Sequence, residues 1–224
     1  MKFIATLLVG SALASGANAT LTPVSSFSNA LATTEIAQSG SLALFDSGMG
    51  TLSSFTLTLS GLLVGTLQLQ NVAAGSETAT ISTLSQLFFD SSFNVLDALI
   101  AQPTVSLSIS PGPQTLASGA TVLFGPLTDS DTFVITSSNA GVLAALQQAG
   151  GGTFGLTCDS STGLSVLGGG GNINTTQSTK AACGASIVYD FTAATTNVPE
   201  PGALALVGLA LAGLSLARRS AKKA

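Results

Sequence analysis

The 224 residues include no histidine, no tryptophan, one tyrosine and two cysteines. Without an imidazole there is no Ser-His-Asp or Cys-His catalysis and no histidine-containing zinc site. Without tryptophan the favoured stacking platform for sugar rings is missing, leaving phenylalanine and Tyr189. Charge is scarce as well: 7% of residues are Asp, Glu, Lys or Arg, against about a quarter in an average globular chain. Between residues 20 and 197 Lys180 is the only base. It stands against Glu35, Asp46, Glu77, Asp90, Asp97, Asp129, Asp131, Asp159 and Asp190, so nine acids less one base leave a net charge of −8. Such a surface repels phosphate backbones and excludes nucleic acid as a partner. No repeat of fixed period is visible, which argues against solenoids and propellers.

What is present sits first at the two ends. Residues 1–19 read MKFIATLLVGSALASGANA, with Lys2 as a positive start, an apolar core over 3–14 and a small-x-small site at Ala17 and Ala19. That is the pattern of a secretory signal peptide cut after Ala19, with a core too short to span a bilayer. The other end, 198–224, opens with Val198-Pro199-Glu200-Pro201. It continues through the uncharged Gly202–Ala217 and closes on Arg218, Arg219, Lys222 and Lys223. As a helix, 202–217 rises about 24 Å, short of a hydrocarbon core of about 30 Å; snorkelling arginines make up part of the difference. The positive-inside rule keeps the four bases cytoplasmic and sends the rest of the chain across the membrane. The organisation expected is therefore signal peptide 1–19, ectodomain 20–197 and tail 198–224 with a transmembrane segment at 202–217.

Between the ends, alternation dominates. Phe55, Leu57 and Leu59 alternate with Ser54, Thr56, Thr58 and Ser60, and Leu63, Gly65, Leu67 and Leu69 alternate with Thr66, Gln68 and Gln70. Period two predicts half-buried strands, and Ser60-Gly61 between the runs predicts a hairpin turn. One or two strands are expected over 20–41, a turn-bearing stretch over 42–50, and further strands at 77–87, 105–109, 122–124 and 131–136. The stretch 87–100 is ambiguous between strand-loop-strand and a short helix. Residues 138–150 predict a helix, capped by Ser138 or Asn139, with Val142, Leu143 and Leu146 on its apolar face and Gly150 after its end. The fold class is all-β: an antiparallel β-sandwich with one short helix, plus the signal peptide and a C-terminal hydrophobic helix.

In an exported chain, an even cysteine count predicts a disulfide. If 152–191 forms one hairpin with paired residues summing to 341, Cys158 faces Cys183, Leu156 faces Ala185, Phe154 faces Ile187, and the turn falls on the glycines of 168–171. Asp129 and Asp131 offer two oxygen ligands for calcium, against the alternative of a solvated turn; Asp46, close to Gly48 and Gly50, offers the same against an Asx-turn. No other cofactor is expected. No motif selects a carboxylate pair for glycoside hydrolysis, Lys180 lacks an SxxK context, and the glycine run lacks the lysine and helix of a phosphate loop. Phe88, Phe89, Phe93 and Tyr189 are the candidates for an aromatic sugar-binding row.

The tail resembles the PEP-CTERM sorting signal of Gram-negative bacteria through Val198-Pro199-Glu200-Pro201, the apolar 202–217 and Arg218-Arg219. The resemblance implies recognition by a membrane cysteine enzyme, an exosortase, a stop at the inner membrane, removal of the tail, and release to the cell surface or medium. The domain resembles the choice-of-anchor E family through Phe45-Asp46, Gly50-Thr51-Leu52, Leu57–Gly61, Gly170-Gly171-Asn172 and Val188-Tyr189-Asp190-Phe191. That resemblance implies a bacterial surface module. The expectation is an exported, non-enzymatic surface or matrix protein associated with exopolysaccharide. A carbohydrate-binding sandwich is the alternative, and a hydrolase ranks behind it.

Overall fold

A computed structural model describes residues 19–194 and 208–211. The chain divides into two compact units, Met1–Ala193 and Ala194–Ala224. The first is a sandwich of two antiparallel sheets. Its strands are β1 (Ala19–Leu21), β2 (Ser25–Ser28), β3 (Ala32–Thr33), β4 (Ala37–Ala43), β5 (Phe45–Asp46), β6 (Gly50–Asn71), β7 (Glu77–Ser91), β8 (Val105–Ile109), β9 (Pro113–Leu116), β10 (Thr121–Ser137), β11 (Gln147–Gln148), β12 (Thr153–Gly168) and β13 (Ile173–Ala193). The helices are α1 (Asn94–Asp97) and α2 (Ala140–Ala145). The first sheet runs β1-β13-β6-β10, with β2 and β3 following β1 along β13. The second runs β4-β12-β7-β8, with β9 beside β8 on β7. A two-residue parallel pair joins β11 to β5.

The expected hairpin at Ser60-Gly61 is absent. Residues 50–71 are one 22-residue strand, lying between β13 and β10. Every odd residue from Phe55 to Asn71 is buried. Gly61 continues the inward row where a side chain would not fit: a Cβ there would fall against Leu87 Cδ1, with Leu107 Cδ1 and Val105 Cγ1 each at 3.1 Å. The glycine marks close approach of the opposite sheet, not a turn. Likewise 121–137 is one strand, not two. It is interrupted by a register shift between Phe124 and Leu127, where Pro126 supplies no N–H and an edge position tolerates its absence.

The N-terminal stretch forms four short strands where one or two were expected. In 87–100 both readings hold in part: β7 runs on to Ser91 and α1 follows. The expected helix over 138–150 is shorter. Asn139 caps it by accepting from Gly141 and Val142, and Val142, Leu143 and Leu146 are buried as anticipated. The helix stops at Leu146 because Gln147 and Gln148 pair with β5.

The cysteines are bonded, but 152–191 is not a hairpin. β12 pairs with β4 and β7 in the second sheet, and β13 pairs with β6 and β1 to β3 in the first. The connection at Gly169–Gly171 is an arch between sheets, with φ between +53° and +91° at each residue from Gly168 to Gly171, a region where glycine alone is unstrained. Phe154, Leu156, Cys158, Cys183, Ala185 and Ile187 are all buried, as the expected common face requires. They reach that state by pointing at one another across the core. The Cys158–Cys183 Cα separation is 6.5 Å, although packed sheets lie about 10 Å apart on average. Ala181 and Ala185, inward-facing neighbours of Cys183, are small enough to let the sheets close locally.

Candidate functional site: the chain ends and the sandwich surface

The predicted signal cleavage bond follows Ala19, the first residue of β1, which pairs with Thr192 of β13; Thr20 and Leu21 pair with Phe191 and Asp190. The first described residues thus lie beside the last strand of the sandwich, which ends at Ala193. Ala17, the sorting residues Val198, Pro199, Glu200 and Pro201, and the basic Arg218, Arg219, Lys222 and Lys223 lie outside the described residues. Of the expected transmembrane segment, 208–211 are helical and exposed. Among the described residues no helix is long and apolar enough to cross a membrane.

At this end of the sandwich the Phe45 ring packs on those of Tyr189 and Phe191, with centroids 5.8 and 5.2 Å away. The Tyr189 hydroxyl donates to the Ala43 carbonyl of the opposite sheet at 2.8 Å. Burial pushes its phenol above the ordinary tyrosine range, because the low-dielectric interior disfavours phenolate. An open, mainly apolar cleft of about 410 Å³ lies beside it, lined by Pro23, Val24, Leu44, Phe45, Met49 and Asp46 among others. Asp46 makes the Asx-turn: one carboxylate oxygen, Oδ1, accepts from Gly48 N and from Gly150 N, both at 2.8 Å. The second bond ties the 42–50 turn to the loop after α2.

The other candidates scatter. Asp129 and Asp131 lie inside β10, not in a turn before a strand. Asp129 Oδ2 accepts from Ser108 N of β8 at 2.7 Å, linking the edges of the two sheets, and Asp131 Oδ1 accepts from Thr132 N. Glu35 accepts from Thr162 N at 2.6 Å and from Ser160 Oγ, and Asp97 accepts from Ser91 N at 2.6 Å. These carboxylates serve backbone donors, the ordinary use of an acid at a strand edge or turn. No group of three or more Asp, Glu, Cys or His able to hold a metal occurs among the described residues. Lys180 lies in β13, between Val64 and Thr33.

The aromatic row does not form. Phe89 and Tyr189 are core residues, Phe93 packs on Phe154, and no aromatic side chain among the described residues is exposed. Beside exposed Leu62, Leu123 and Val134, the first sheet presents outward a patch of hydroxyl and amide. Gln68, Gln70, Thr121, Asn174 and Thr176 line a shallow depression of about 130 Å³, and Thr176 Oγ1 donates to Gln68 Oε1 at 3.0 Å. Phe88, in the opposite phase of β7 to buried Leu87 and Phe89, is half-buried.

Residues 197–219 match the PEP-CTERM protein-sorting motif. The motif supports an exported protein of a Gram-negative bacterium that passes the membrane and is processed by an exosortase. No curated protein matches the chain. Solved structures show slight likeness. T=1 particles derived from infectious bursal virus share 14% identity over 84% of this chain and 47% of theirs, with a TM-score of 0.18. The Cry23Aa1 and Cry37Aa1 binary complex shares 9% over 80% and 87%, with a TM-score of 0.21. The chain spans about half the length of the first of these, and likenesses of this size carry no argument about fold or function.

Proposed function

We propose that this is a non-enzymatic surface or matrix protein. It is exported through its signal peptide, held at the inner membrane by the tail, then cut and released by an exosortase into an exopolysaccharide-rich matrix. The observation that carries the reading is the motif match at 197–219. The absence of catalysis is supported by the occupation of Glu35, Asp46, Asp97, Asp129 and Asp131 with backbone donors. Membership of the choice-of-anchor E group is supported by the Phe45-Asp46 pattern, since Phe45 anchors the aromatic cluster and Asp46 closes the turn before β6.

The test replaces Pro199 and Pro201 with alanine. The prolines each fix φ and remove a backbone donor, features a recognising enzyme can read. The expected result is a folded, disulfide-bonded domain that stays in the membrane fraction, while the wild type is released without Arg218–Ala224 by intact mass. Equal release of both, or a released form that keeps those residues, overturns the sorting role. A carbohydrate-binding reading draws on the neutral amide and hydroxyl depression at Gln68 and Asn174; a glycan array probed with the released protein distinguishes it.

A further inference from the structure

The N-terminal strands cover only part of the edge that β12 and β13 share. β4 pairs with Thr153–Asp159 and no further. Beyond it Ser160 N donates to Ile36 O at 3.0 Å, and Thr162 N to Glu35 Oε1. From 163 to 168, β12 has β7 on one side and, among the described residues, no strand on the other. In the first sheet the cover ends where Thr34 N donates to Thr179 O at 3.2 Å. From 173 to 178, the strand beside β13 among the described residues is β6. Both free runs lie on the same side of the sandwich, just before and just after the glycine arch.

The two runs also lie one over the other. The relation that sets Cys158 against Cys183 sets Leu164 against Gln177 and Val166 against Thr175. The hydrogen bond from Thr83 Oγ1, the β7 neighbour of Leu164, to Gln177 Oε1 at 2.7 Å holds the two runs at the same level. Leu164 and Val166 point inward yet remain 38% and 40% exposed, because nothing closes the seam beside them. From 160 to 179 there is no charged residue and no proline, so the devices that usually blunt a strand edge are missing.

We propose that this double edge is a dimer interface between two copies of the chain. An axis perpendicular to the sheets, passing near Ser165 and Thr176, pairs β12 with its copy and β13 with its copy, both antiparallel, and makes each sheet continuous across the dimer. The stacking of the runs allows one axis to serve both sheets, as a two-fold interface requires. In a domain of net charge −8, this uncharged stretch is where copies meet without facing like charges.

The alternation specifies which amides are buried. Ser160, Thr162 and Thr179 direct their backbone groups to the outer edge, so Leu164, Val166, Thr175 and Gln177 do the same, while Ser165 and Thr176 face inner neighbours.

The experiment uses the oxidised protein purified from cells expressing the full chain, by sedimentation and by hydrogen exchange from micromolar to millimolar concentration. The expected results are twice the chain mass and concentration-dependent protection of the Leu164, Val166, Thr175 and Gln177 amides, with Ser165 and Thr176 unchanged. Leu164→Lys with Val166→Lys places like charges across the axis and is expected to raise the dissociation constant roughly a hundredfold or more, with the disulfide still formed. A monomer at all concentrations, or a dimer without protection at those four amides, overturns the proposal. So does a folded lysine variant that dimerises as the wild type does. The exchange measurement on the wild type decides the matter if the variant does not fold.

Discussion

Where the N-terminal strands add to both sheets, the sandwich is closed by Phe45, Phe191, the Tyr189–Ala43 bond and the disulfide. Gln38 reinforces that end by accepting from Cys183 N at 2.9 Å while its own amide donates to Ala30 O. Toward the glycine arch the core is lined in part by hydroxyls, and the bond that crosses from sheet to sheet runs from Thr83 Oγ1 to Gln177 Oε1 at 2.7 Å. Thr83 and Ser85 are fully buried; Thr162 Oγ1 bonds Ser85 Oγ at 3.0 Å within the second sheet, and Thr34 Oγ1 meets Thr179 Oγ1 at 2.6 Å beside the first. The difference follows the reach of β1 to β4. Covered strands bury large side chains and profit from their area. At the open end several core-facing positions are short and polar, and their hydroxyls are satisfied within the protein.

Replacing both Cys158 and Cys183 with alanine tests the closed end most severely. The bond closes a loop of 25 residues' separation, for which chain entropy predicts a loss of about 2–4 kcal/mol. Denaturant titration should show it with the strand content unchanged. Replacing one cysteine alone leaves a reactive thiol, and cross-linked dimers on non-reducing gels are expected. Two reactive thiols per chain in unreduced, denatured wild type would show the bond unformed.

Tyr189→Phe is the next step down. It removes the donor to Ala43 and should cost about 1–2 kcal/mol near neutrality. It also removes a pH dependence whose sign is determined. The folded phenol titrates above the unfolded one, so its contribution is whole below about pH 10, the unfolded value. It is lost as the pH rises toward the folded value, because ionisation then draws the chain to the unfolded state. Stability measured from pH 8 to 11 should fall at the alkaline end in wild type and remain flatter in Tyr189→Phe. Equal slopes would place the phenol in water.

Thr83→Val probes the arch end and should have the smallest effect, below about 1 kcal/mol. Gln177 Oε1 loses its donor but is exposed enough to find water. A loss equal to that of the cysteine pair would show the two ends to be equally dependent on their cross-sheet contacts, and the contrast would fail.

Much of this was legible in the chain. The odd phase of Phe55, Leu57, Leu59, Leu63, Leu67 and Leu69 names the buried face of β6 residue by residue. It even contained the answer to the Ser60-Gly61 question. A two-residue turn would set Leu59 opposite Leu62 and carry Leu63, Leu67 and Leu69 to the outer face, whereas the unbroken phase demands one strand; Leu62 is 36% exposed and Leu63 is buried. Asn139 as cap and Asp46 as Asx-turn were legible for the same reason: their partners are two or three residues away. Asp129 was not, because its partner Ser108 belongs to the other sheet.

By itself, then, the sequence determined the strand periods, the buried face, the bonding of the two cysteines and the sorting motif at 197–219, all of which are local patterns or follow from composition. The tertiary structure alone decided that Cys158 and Cys183 join two sheets. Period two places side chains on a common face, but a residue beside its partner in one sheet and a residue opposite it across the core are equally buried. Only the pairing of β12 with β4 and β7, and of β13 with β6, separates those arrangements.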